Sequence, residues 1–173
     1  MSLRTLLPLL TLATAATASA GTFNFSGALT NADSVFNRPL ESGSTLSSVG
    51  TAVRYDTQLF TVSQSGAYTL FIQSDAPDTF LLLYASFDPL APLSNFIGGN
   101  DDKSGSLTQS ELTANLTAGT TYAFVTTSFS NADRFGYNNS ITGLGTVNAV
   151  PEPASMAALA LGGLAFLRRR KQA

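Results

Sequence analysis

Gly98-Gly99-Asn100-Asp101-Asp102 is the densest polar cluster in this 173-residue chain. Two adjacent carboxylates beside an asparagine carbonyl are hard oxygen donors, the kind that calcium gathers six to eight of. Asp75, Asp78 or backbone carbonyls could complete such a shell. The spacing is not that of an EF-hand loop. A solvated turn uses the same residue types, because Asn and Asp tolerate turn conformations and bond their own backbone. Two readings of Asn100, Asp101 and Asp102 therefore stand side by side: a calcium site or a plain turn. Neighbouring carboxylates also drive glycoside hydrolysis. Adjacency in a turn does not aim two carboxylates across a substrate, however, so neither Asp101 with Asp102 nor Asp75 with Asp78 is read as a catalytic pair.

The chain holds no histidine and no cysteine. That removes the commonest general base, the Ser/His and Cys/His nucleophile systems, and imidazole or thiolate metal sites. It also leaves the fold without disulfides, so a packed core must hold it. The reading is of a protein that is not an enzyme. Its charge is unevenly placed. Arg4, Arg168, Arg169, Arg170 and Lys171 sit at the two ends, and residues 21–150 keep only Arg38, Arg54, Lys103 and Arg134 against ten acids, a net charge of -6. An acidic domain with no basic patch excludes nucleic acid as a partner.

The elements that must position the acids are short strands. Apolar residues alternate in 22–26 and 57–63, and Tyr68, Leu70 and Ile72 share a face. Residues 80–84 are a continuous apolar run, the pattern of a strand buried on both sides. Residues 112–116, 122–127 and 140–147 follow, with Ile141 and Leu144 out of step at Gly143. Residues 42–50 are rich in Ser, Gly and Thr and read as a loop. This punctuation predicts an all-β fold, an antiparallel β-sandwich over residues 21–149. Tyr55, Tyr68, Tyr84, Tyr122 and Tyr137 fall mostly at core positions, whereas Phe129, Phe135 and Tyr137 lie among Asn, Ser and Asp and are expected to be exposed. An exposed aromatic strip would mark a carbohydrate platform. A surface of Ser, Thr and Asn over buried aromatics would mark a structural role.

The ends read as targeting segments. Residues 1–20 carry Arg4, an apolar stretch at 6–12 and Ala18-Ser19-Ala20, the parts of a secretory signal cut before Gly21 by signal peptidase. Residues 150–173 open on Val150-Pro151-Glu152-Pro153. The two prolines hold that peptide extended, a shape that suits a peptidase groove. Residues 154–167 are uncharged and rich in Ala and Leu, which predicts a single hydrophobic anchor helix. Its 14 residues fall short of the roughly 20 that span a bilayer core, and snorkelling of Arg168 narrows the gap. The basic cluster 168–171 stays on the cytoplasmic side. Motif, helix and cations together resemble the PEP-CTERM tail of bacterial surface proteins. That resemblance implies export through the inner membrane, transient membrane anchoring, and recognition of Pro151, Glu152 and Pro153 by an exosortase.

A second resemblance lies upstream. Residues 56–62, the turn at Ser65-Gly66, residues 68–74 and 78–84, Asn100-Asp101-Asp102, and Leu116-Thr117-Ala118-Gly119-Thr120-Thr121-Tyr122 resemble the bacterial pre-peptidase C-terminal domain. It implies a jelly-roll-like sandwich, and calcium binding in some members. The expected function is a surface or matrix protein with a structural or adhesive role linked to extracellular polysaccharide or biofilm. The alternative is a non-catalytic carbohydrate-binding module working beside a secreted enzyme. Beyond the exposure expected of Phe129, Phe135 and Tyr137, the ligand-binding residues are left open.

Overall fold

Ten strands and no helix make up the fold in the computed structural model, which describes residues 20–75 and 78–151. Residues 1–19 of the expected signal segment (1–20), Glu152, Pro153, the expected anchor helix (154–167) and the basic cluster (168–171) lie outside the described residues. The strands are β1 (Ala20–Leu29), β2 (Val35–Phe36), β3 (Val53–Val62), β4 (Gly66–Ser74), β5 (Thr79–Tyr84), β6 (Phe96–Asn100), β7 (Gln109–Leu116), β8 (Thr121–Ser128), β9 (Phe135–Leu144) and β10 (Val147–Ala149). One sheet runs β1-β9-β4-β7. The other runs β10-β3-β8-β5-β6, with β2 also on β3. Every strand pairing is antiparallel. Setting aside the short β2 and β10, this is the double Greek-key order of a jelly roll; the antiparallel sandwich is what the strand spacing predicts.

Alternation packs the two inner faces against each other. Tyr68, Leu70 and Ile72 of β4 and Ile141 of β9 meet Leu81 and Leu83 of β5 and Phe124 of β8, all fully buried. A second cluster lies on the far side of the β10-β3-β8-β5-β6 sheet. There Phe80, Leu82 and Tyr84 of β5, with Ala123 and Val125 of β8, pack with Phe36, Val53, Tyr55, Phe87, Phe96 and Phe129. The continuous apolar run is thus a central strand, with all six residues of β5 buried.

The step at Gly143 has a packing cause. The Tyr68 ring crosses β9 there, and a Cβ on Gly143 would stand 2.3 Å from a ring carbon. The Tyr68 hydroxyl donates to the carbonyls of Gln64, at 2.8 Å, and of Leu144. Beyond it the chain turns at Gly145, with φ of +76°, and Val147 joins the other sheet opposite Val62.

Leu82 is fully buried between sheet and cover, so Leu82→Asp would bury a carboxylate with no partner. The expected outcome is loss of the cooperative thermal transition in circular dichroism. A variant melting as the unaltered chain does would take β5 out of the core.

Candidate metal centre

Strand pairing gathers the acids. β5 and β6 pair antiparallel with Leu81 opposite Asn100 and Leu82 opposite Gly99. Carrying that register on brings Asp101 and Asp102 to the level of Phe80 and Thr79, where Asp78 enters β5. One carboxylate oxygen from each of Asp78, Asp101 and Asp102 lies within 4.8 Å of the others. Oxygens bound to one calcium at 2.3–2.6 Å can be no more than about 5 Å apart, so the three fit a single ion. Oδ1 of each of these aspartates is buried and has no hydrogen-bond partner. A buried acceptor without a donor is costly.

Asn100 has another task. Its Oδ1 accepts the Glu111 backbone N–H at 2.7 Å, and its Nδ2 donates to Glu41 Oε1 at 3.3 Å. It fixes the loop, and Asp78 completes the oxygen cluster. Glu41 Oε1 also accepts the Asp101 N–H at 2.6 Å, while the Asp101 carbonyl accepts the Ser110 hydroxyl at 2.5 Å. Asp75 stands apart, lining a cleft with Gln73 and Tyr137.

Electrostatics show the strain on the cluster. Burial, with the like charges of Asp78 and Asp102, pushes Asp101 up to about 7. Burial, with Asp102 and Asp133 adding and Arg38 opposing, raises Asp78 to about 6. Arg38 is the nearby counter-charge. It is 1% exposed, and its guanidinium lies 3.9 Å from the Phe80 ring centre and 4.9 Å from that of Phe129. It donates to the carbonyls of Phe129 and Pro39, each at 3.1 Å. Burial lowers its pKa, and Asp101, Asp78 and Glu41 oppose that. Among the described residues the only ion pair is Lys103–Glu111, so Arg38 offsets the cluster from a distance.

The aromatic expectation needs correction. Phe135 and Tyr137 are 6% and 4% exposed. Both point inward from β9, and their polar neighbours take the outward places of a two-residue period. The Tyr137 hydroxyl donates to Asp56. Phe129 is half-buried against the second cluster.

The C-terminal motif begins where the sandwich ends. β10 pairs with β3 through Ala149 opposite Phe60, the Val150 N–H donates to the Leu59 carbonyl at 2.9 Å, and Pro151 is exposed. Residues 149–171 match the PEP-CTERM protein-sorting motif. The match marks a tail that is anchored in the membrane and processed by an exosortase. It does not reach residues 55–128, so it lends no support to the expected likeness of that stretch to the pre-peptidase C-terminal domain. No curated protein matches the chain. Among solved structures, the chain is similar to PliG of Aeromonas hydrophila, a periplasmic inhibitor of g-type lysozyme, at 13% identity and a TM-score of 0.35, covering 79% of this chain and 93% of that one. It is also similar to the CBM35 module of Cellvibrio japonicus Abf62, at 14% identity and a TM-score of 0.37, covering 73% and 99%.

The raised carboxyls set a pH dependence. Both titrate higher in the folded than in the unfolded chain, so the folded state holds protons that the unfolded state has lost. Their contribution is intact below about pH 4 and fades as pH rises through about 6 and 7. In a chelator, the melting temperature should fall between pH 5 and pH 8. Asp101→Asn should flatten that fall and melt above the unaltered chain at pH 8. A flat profile for the unaltered chain would contradict the clustering of charge.

Proposed function

We propose that this chain is a secreted, exosortase-sorted bacterial surface protein. Its jelly roll serves a non-catalytic, structural or adhesive role in an extracellular matrix of polysaccharide. The observation that carries the reading is the sorting motif at 149–171, which follows the last strand without a linker. A tail that opens at the edge of the sandwich holds the folded domain against the membrane until cleavage frees it. Aromatic residues consumed in two buried clusters, under a surface of Ser, Thr and Asn, favour this role over a stacking carbohydrate-binding module. Asp78, Asp101 and Asp102 hold a calcium ion in this reading. The ion satisfies three buried oxygens that have no donor and ties the end of the β5–β6 hairpin together. Extracellular calcium modules bind with Kd of about 0.1–1 mM, a range suited to a site filled only after export.

Glu152→Ala tests the sorting. In the producing cell the variant should accumulate as a membrane-held precursor of higher mass. Unchanged mass and localisation would remove exosortase recognition from the account.

A further inference from the structure

The two sheets differ on their outer faces. The second aromatic cluster covers that of β10-β3-β8-β5-β6. The outer face of β1-β9-β4-β7 has no such cover among the described residues. The register sorts its side chains into rows. Thr22, Thr142, Thr69 and Thr113 form one row across all four strands. Their hydroxyls bond in pairs, Thr22 to Thr142 at 3.0 Å and Thr69 to Thr113 at 3.1 Å. Two rows further along the strands stand Ser26, Asn138, Gln73 and Gln109. Between them Asn24 shares a row with Phe71 and Glu111, and Glu111 pairs with Lys103 at 2.6 Å.

A cleft of about 510 Å³ lies along the Ser26 row, with Gly136 and Asp75 also in its lining. A second hollow of about 290 Å³ continues from it past Asn24, with Ser26 and Asn138 common to both. Gly136 keeps the cleft open. A Cβ there would meet nothing nearer than the Gly27 carbonyl oxygen at 3.9 Å, and its φ is not in the left-handed region. Neither sterics nor backbone conformation therefore requires glycine at this place. A strand glycine weakens the sheet, and one site that tolerates that loss is where another molecule comes close to the backbone. Asn24, Ser26 and Asn138 are exposed and make no side-chain hydrogen bond among the described residues.

We propose that this face binds a neutral polysaccharide, seated in the cleft over Gly136 and hydrogen-bonded to Asn24, Ser26 and Asn138. The proposal rests on the surface-protein reading above and names the adhesive site. The chemistry of the face selects the occupant. Amides and hydroxyls both donate and accept, which matches the dense hydroxyls of a glycan. The only charged side chain in the three rows is already paired, and the acidic domain repels a polyanion. A protein partner would need an apolar centre. Phe71 is the only aromatic in these rows, half-buried with the Lys103 ammonium 4.7 Å from its ring centre. Asp75 in the lining of the cleft can accept a sugar hydroxyl.

The test is native electrophoresis of the full chain, in mild detergent, through gels containing dextran, galactomannan or mixed-linkage β-glucan, with alginate as the anionic control. At least one neutral polymer should retard the chain, and alginate should not. Gly136→Val fills the cleft and Asn138→Ala removes an amide. Each should weaken retardation by roughly tenfold, the worth of one or two hydrogen bonds, while the melting temperature holds or rises. Retardation by no neutral polymer, or by all variants equally, would overturn the proposal. So would polymer-free self-association that Gly136→Val abolishes, since a second copy would then be the occupant. A chain that reaches the surface yet binds no neutral polymer defeats this inference and leaves the sorting reading standing.

Discussion

Strand β5 is buried on both faces, and the arrangement of both candidate sites follows from that. A strand with one wet face would leave the β10-β3-β8-β5-β6 sheet open to solvent. Here Phe80, Leu82 and Tyr84 point into a second cluster, so the chain between β1 and β3 and the turn after β5 must fold over them. Each large apolar side chain buried this way contributes about 1.5–3 kcal/mol, and a chain without disulfides depends on that sum. The cover uses the aromatics that could otherwise have formed a stacking platform. It leaves β1-β9-β4-β7 as the sheet with the bare outer face.

The same cover seats Arg38 over Phe80, and so sets the charge balance of the acidic cluster. The β5–β6 pairing delivers three aspartates to one end of a buried strand. Desolvation and mutual repulsion then raise two of them well above the ordinary carboxylate range. One arginine, held by carbonyls and rings, reduces that cost without removing it. A divalent cation would answer both the excess charge and the orphaned oxygens. Binding of that kind would make the fold sensitive to its compartment, since calcium is millimolar outside many cells and scarce within.

Much of this was legible in the sequence. The run at 80–84 and the alternation in β3 and β4 gave the sandwich, because period two shows wherever one face is buried. The proline motif, apolar stretch and cations of the tail needed no tertiary context. β6 was hidden because Gly98-Gly99 reads as a turn. They are strand residues because Leu112 and Leu82 close over them, the Leu82 Cδ2 only 2.8 Å from where a Gly99 Cβ would be. Asp78 could be named as a further oxygen donor, yet only the register of β5 against β6 puts it beside Asp101 and Asp102. Phe135 and Tyr137 looked exposed because their neighbours are polar, and those neighbours are the outward half of the same strand. The run at 80–84 implied that something covers the second face of β5, but not what, since Phe36, Tyr55, Phe87, Phe96 and Phe129 are scattered along the chain.

The claim that three half-buried carboxylates share one cation is tested most directly by calcium titration of the full chain at pH 8, read by calorimetry and by melting temperature. One ion per chain is predicted, with Kd of about 0.1–1 mM. At 10 mM calcium the stabilisation would be about 1.4–2.7 kcal/mol, a rise on the order of 5 °C or more. Magnesium should do less, because it demands tighter octahedral geometry, and Asp78→Asn and Asp101→Asn should each remove the gain. A melting curve indifferent to calcium up to about 10 mM, tenfold above the weak end of that range, would contradict the account and leave the cluster a strained turn held by Arg38.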